Sequence, residues 1–208
     1  MKLIASAASA ASAAFALFAA TPAFASTTTI DFEAVTGFAS IANTYSSAGV
    51  GFTGGALGLV NDGTGGGLNG AFFSNAPSPV GVMFAADIDA TLNAVNGARF
   101  FDAVSFFYSS IDALADAVQV FDGLDGTGNL LASFSLTANA SSGCTDSAFC
   151  NWTQITRTFV GAARSITFGG TAGFAGFDNI GLNVVPEPTS VMLAALGIVG
   201  LVVSRRRA

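Results

Sequence analysis

Whatever acid–base or metal chemistry this chain can do falls to its acidic side chains, because its 208 residues include thirteen Asp and Glu and no histidine. Without an imidazole there is no Ser-His-Asp or Cys-His nucleophile and no histidine-ligated zinc. Paired carboxylates could still hydrolyse glycosides. The candidate pairs are Asp87 with Asp89, Asp112 with Asp116, and Asp122 with Asp125. Each sits in or beside turn-forming sequence, where carboxylates are ordinary solvated groups, so the expectation is a protein that is not an enzyme and has no catalytic residue. Oxygen ligands also suit calcium. One candidate set joins Asp31 and Glu33, near the first strand, with Asp178 and Asn179, near the last; a second is the turn Asp122–Asn129, whose spacing is not that of an EF-hand.

The elements that would have to position these groups are strands. In Arg99–Ser109, Phe100, Asp102, Val104, Phe106 and Tyr108 fall on one face and Phe101, Ala103, Ser105 and Phe107 on the other. That strand is apolar on most of both sides and therefore central in a sheet. Further strands are expected at Thr28–Phe32, Val50–Thr53, Leu57–Val60, Gly70–Phe73, Val80–Phe84, Ala117–Phe121, Leu130–Leu136, Trp152–Phe159, Ser165–Phe168 and Phe174–Leu182. Many short strands, separated by Gly, Asn or Asp and with no convincing helix, point to an all-β antiparallel β-sandwich or jelly roll. The clearest hairpin joins Ala117–Phe121 to Leu130–Leu136 through Asp122–Asn129, where glycines supply positive φ and Asp and Asn bond their own backbone. Gly65–Gly70 satisfies a dinucleotide-type glycine pattern, but it opens no helix and Pro77 and Pro79 follow, so it reads as a loop.

The two ends of the chain are of another kind. Met1–Ala25 has Lys2 as its only charge, an apolar and small stretch Leu3–Ala20, and Ala23-Phe24-Ala25 as a small-x-small cleavage site. It reads as a secretory signal peptide cut by signal peptidase before Ser26. At the other end, Pro186-Glu187-Pro188 is a stiff spacer, because each proline fixes its own φ and biases the residue before it. Val191–Val203 carries no charge. With its polar neighbours it makes a segment of about 16 residues, roughly 24 Å as a helix, which is short against a hydrocarbon core of about 30 Å. Arg205, Arg206 and Arg207 decide in favour of a membrane span: they read as a cytoplasmic stop, and their stems can snorkel to make up the length. The expected organisation is signal peptide 1–25, extracytoplasmic β-sandwich 26–183 and sorting tail 184–208.

These tail residues, in this order, resemble the PEP-CTERM sorting signal of Gram-negative bacteria. Pro186, Glu187 and Pro188 match its triplet, Val191–Val203 its transmembrane helix and Arg205–Arg207 its basic end. The resemblance implies an inner-membrane-anchored precursor, cut by an exosortase and passed to the cell surface or exopolysaccharide matrix. Val118–Leu136 with Trp152–Leu182 resembles, less specifically, the passenger domains of such proteins with a galactose-binding or lectin-like jelly roll. Carbohydrate-binding relatives of that kind often hold a structural calcium where the first and last strands meet, which is the place of Asp31, Glu33, Asp178 and Asn179.

An exported domain lies in an oxidising compartment, so Cys144 and Cys150, in a polar loop with no third ligand at metal spacing, are most economically a local disulfide pinning the loop before Trp152. Residues 26–185 hold three arginines against twelve acids. An acidic domain without a basic patch is no nucleic-acid binder. The expectation is a non-enzymatic surface or matrix protein with exopolysaccharide as a candidate partner, Trp152, Tyr45 and Tyr108 as candidate stacking aromatics, and a purely structural or adhesive role as the alternative.

Overall fold

Alternation at period two becomes eleven strands in the computed structural model, which describes residues 25–61 and 72–185. The signal peptide with Ala23, the glycine-rich 65–70, Pro186–Pro188, the apolar Val191–Val203 and Arg205–Arg207 lie outside the described residues; Ala25 is described and exposed. In chain order the strands are β1 (Ser26–Ile30), β2 (Val50–Phe52), β3 (Ala56–Val60), β4 (Gly81–Ala85), β5 (Thr91–Ala94), β6 (Arg99–Ser110), β7 (Leu114–Phe121), β8 (Leu130–Leu136), β9 (Thr153–Thr158), β10 (Ser165–Thr167) and β11 (Ala175–Val185). Among the described residues the only helical pieces are two three-residue turns, Ser46–Ala48 and Gly169–Thr171. No helix among them is long and apolar enough to cross a membrane.

The strands form two antiparallel sheets. One runs β3-β4-β11-β6-β9, with β1 also paired to β11; the other runs β2-β5-β10-β7-β8. The first and last strands thus lie side by side, Ile30 opposite Ile180. β6 is central as its pattern requires, paired with β11 on one side and β9 on the other. The face carrying Phe100, Val104, Phe106 and Tyr108 turns inward, whereas Asp102 leaves that face at φ +67° and is exposed. Facing it from the second sheet are Leu92, Val118, Val120, Phe134 and Ile166, all fully buried. Phe106 is the hub of this core, in ring contact with Tyr108, Phe134, Phe168 and Phe177.

Two expectations need correction. Of the strand read at Gly70–Phe73, the described part makes only an isolated bridge from Phe73 to Phe149, because Phe72 and Phe73 cover a sheet instead of extending one. β5 has no counterpart in the sequence reading: its four residues, Thr-Leu-Asn-Ala, show too little alternation to register.

Candidate functional site

Asp178 is fully buried on β11, at a bulge where Asn179 takes φ +46°. Its Oδ2 accepts the Ser78 N–H at 2.7 Å, and its Oδ1 accepts the Asn179 N–H at 2.7 Å. The Ser78 hydroxyl stands 2.6 Å from Asp178 Oδ1 and 2.6 Å from the Asp31 carbonyl. One hydroxyl proton can satisfy only one of those two oxygens at a time, so a proton held on Asp178 completes the set. Burial pushes the carboxyl up to about 6, with the Ser78 and Asn179 donors pulling the other way and the Glu33 charge adding to the rise. Glu33 Oε1 accepts the N–H groups of Val80 and Gly81 at 2.8 and 3.0 Å, and Asp31 Oδ1 accepts the Glu33 N–H at 3.2 Å. Tyr45, whose hydroxyl accepts the Ala34 N–H at 3.4 Å, is pushed up to about 12, first by burial and then by the charges of Asp31, Glu33 and Asp178.

Asp31, Glu33 and Asp178 therefore do come together, where β1 meets β11. Their arrangement is a pin: donors of the chain itself fill both oxygens of Asp178 and one oxygen each of Glu33 and Asp31, and the pin fastens the segment around Ser78 to β11. Asn179 contributes its backbone N–H. Among the described residues no group of three or more His, Cys, Asp or Glu is placed to hold a metal ion, and both oxygens of Asp178 are spent on donors of the chain itself.

Three of the other candidate carboxylates have partners of their own. Asp87 Oδ1 accepts the Ile88 N–H at 2.6 Å, and Asp116 Oδ1 accepts the Ser133 hydroxyl at 2.8 Å. Asp122 clips the β7–β8 turn, accepting the Asn129 N–H at 2.7 Å and the Asn129 amide at 2.8 Å, which holds its carboxyl below the usual range.

Cys144 and Cys150 are joined in a disulfide. The loop it closes packs on the outer face of β3 and β4, where Leu59 and Val82 are buried with Phe73 under Phe149 and Trp152. The Trp152 indole N–H donates to the Ser74 carbonyl at 2.9 Å, and the ring stands edge-on to Phe73. Tyr108 is buried with its hydroxyl 2.9 Å from Thr137 Oγ1, and Tyr45 packs against Phe32 and Phe52. All three aromatics expected to stack on sugars are thus engaged in packing.

A different surface is open. On β10, Thr167 stands opposite Thr91 of β5 and Gln119 of β7; Ser165 stands opposite Asn93 and Phe121. Between these two rows Leu92, Ile166 and Val120 point into the core. Strand alternation therefore puts both polar rows on the outside of the second sheet. The first row, with Phe121 of the second, lines a groove of about 590 Å3 together with Asp125 and Gly126 of the β7–β8 turn and with Ile88, Asp89, Gly169 and Gly170. The second row holds the turn in place: Asn93 Nδ2 donates to Asp125 Oδ1 at 2.6 Å while Asn93 Oδ1 accepts the Asp125 N–H at 2.9 Å. Ser165 Oγ accepts the Gly126 N–H at 3.0 Å and donates to the Gly123 carbonyl at 2.7 Å. Gly126, at φ +68°, has no room for a side chain, since a Cβ would lie 2.6 Å from Thr167 Cγ2. Sequence reading missed this floor. The polar positions of Ala117–Phe121 and Ser165–Phe168 were visible, but which strands would lie beside each other was not.

The described residues form an all-β, two-sheet antiparallel domain with a chain-made acid pin and a groove on the outer face of the second sheet. Residues 184–207 match the PEP-CTERM protein-sorting motif. The chain carries that motif directly on the end of β11, and the motif implies an exported protein, transiently held at the membrane and processed by an exosortase. Among solved structures the chain is similar to a carbohydrate-binding module of Cellvibrio mixtus lichenase 5A in complex with cellotriose, at 13% identity and TM-score 0.42, covering 75% of this chain and 95% of that one. It is also similar to the K1 cleaved adhesin domain of Lys-gingipain from Porphyromonas gingivalis W83, at 12% identity and TM-score 0.38, covering 76% and 97%. No curated protein matches the sequence.

Proposed function

We propose that this chain is a non-enzymatic polysaccharide-binding protein, exported by its N-terminal signal peptide, released by exosortase cleavage at Pro186-Glu187-Pro188, and displayed as a jelly-roll-like sandwich at the cell surface or in an exopolysaccharide matrix. The observation that carries the reading is the sorting motif at 184–207, which begins within the last strand of the sandwich. Export of an acidic domain without a basic patch directs attention away from nucleic acid and toward uncharged polymers outside the cell. The groove on the second sheet supports the binding role by the row Thr91, Thr167 and Gln119 set beside the apolar Phe121. Replacing Pro186, Glu187 and Pro188 with alanine, in a host that has the exosortase, is expected to leave a membrane-retained, full-length precursor. Release at the wild-type rate would refute the sorting step. Failure of the released protein to bind any polysaccharide would leave a structural or adhesive matrix role.

A further inference from the structure

We infer that the groove on the outer face of the second sheet is a glycan site selective for uncharged sugar polymers, read by Thr91, Thr167 and Gln119 and bounded by Asp125 and Asp89. This rests on the polysaccharide-binding reading and names its site and ligand class.

The two outward rows divide the work. Asn93 and Ser165 spend their hydrogen bonds on the β7–β8 turn. In the other row, none of the hydrogen bonds among the described residues uses Thr91 Oγ1, Thr167 Oγ1 or the Gln119 amide. Thr91 makes the point most sharply. It is only 5% exposed, its backbone is bonded to Thr53, and its side chain still lines the groove without a partner. Among the described residues the buried side-chain atoms without a partner are Asn61 Oδ1 and Ser109 Oγ; the Thr91 hydroxyl instead reaches the groove, where a ligand's hydroxyl can take the place of water on a rigid floor.

The ligand class follows from the lining. Hydroxyls and one carboxamide, each able both to donate and to accept, suit the hydroxyls of a sugar. Strands about 4.8 Å apart set these groups in a row. The groove's size falls among small-ligand clefts, roughly 300–1,000 Å3. Phe121, half-buried beside Gly126, supplies the apolar patch that the C–H face of a sugar ring needs. Asp125 is held still by Asn93, with its Oδ2 left over to accept a hydroxyl; Asp89 offers a second carboxylate. Among the described residues no Lys or Arg lines the groove. Uronates, sulfated glycans, nucleic acids and acidic peptides would meet uncompensated like charge there. A protein interface of the usual kind would bring several aromatic or Arg anchors, and this floor has one aromatic ring.

The test is affinity electrophoresis of the full chain in uncharged detergent, in gels containing hydroxyethylcellulose, dextran, galactomannan or alginate. At least one neutral polymer is expected to retard the wild type, with alginate at least tenfold weaker. Gln119→Ala combined with Thr167→Val is expected to weaken the neutral binding at least tenfold. Thr91→Val, which keeps the shape of a buried side chain, provides a second variant should the first melt early. Thr156→Ala on β9, in the other sheet, is expected to change nothing. Neutral binding unaffected by both groove variants would overturn the site while leaving the polysaccharide reading intact. Stronger retention by alginate than by any neutral polymer would overturn the ligand class. Retention by no polymer would remove the polysaccharide reading itself.

Discussion

The outer faces of the two sheets have opposite fates. On the first sheet, β3 and β4 turn Leu57, Leu59, Val82 and Phe84 outward, and Phe72, Phe73, Phe149 and Trp152 pack over this face, burying Leu59 and Val82. On the second sheet, β5, β10 and β7 turn Thr, Ser, Asn and Gln outward, and only the edges of that face are walled. The difference teaches where to look for function in a sandwich. Apolar area removed from water gains about 25 cal/mol per Å2, so an apolar outer face draws cover from the chain's own loops. A polar face gains little from being covered and stays open to a partner.

That contrast can be broken on the covered side first. Asp178→Ala should cost about 3 kcal/mol, because it leaves the buried Ser78 N–H and the part-buried Asn179 N–H unpaired; an unchanged urea midpoint would show that the pin is dispensable. Replacing Cys144 and Cys150 with serine should cost about 2 kcal/mol or less, since the closed loop is short. Near-UV circular dichroism should then report a looser Trp152, and an unaltered tryptophan signal would mean that the loop holds without its staple.

The pin also predicts a pH dependence. Asp178 binds its proton more tightly folded than unfolded, with a folded value of about 6 against an ordinary 3.8. Its contribution to stability is therefore greatest below about pH 4, declines as pH rises to about 6 and is level above that. Asp178→Asn is expected to remove this part of the pH profile, measured as the difference from wild type in urea titrations between pH 4 and 7. A parallel pair of profiles would count against a proton on Asp178. The melting temperature in calcium and in chelator should be equal, because the pin is filled by the chain's own donors; a shift of several degrees would restore a cation to this end of the domain.

On the open side the expected effects on stability are the smallest. Gln119→Ala should move stability by no more than about 0.5 kcal/mol, as half-exposed groups without partners do, while weakening glycan binding. A large loss of stability would mean that the open face is a piece of the core in disguise.

Much of the fold was legible because apolar alternation survives without neighbours. Arg99–Ser109 announces a central strand, and Ala117–Phe121 with Leu130–Leu136 announces a hairpin; β6, β7 and β8 answer to both. The same reading passed over β5, whose Thr91–Ala94 is held by pairing with β2 and β10 and not by its own pattern. It also offered Trp152, Tyr45 and Tyr108 as sugar-stacking rings, since an aromatic is equally suited to a core and to a binding face until its neighbours are known.

The chain's own order of residues determined most of its strands, its disulfide partners and its sorting motif, because alternation, the two cysteines and the Pro-Glu-Pro tail each act over a few residues. Tertiary structure alone decided which strands became neighbours, and so which oxygens were spent and which left over. Asp178 was closed off by Ser78, a hundred residues away, whereas Thr91, Thr167 and Gln119 were set in one row by hydrogen bonds between strands that no local pattern encodes.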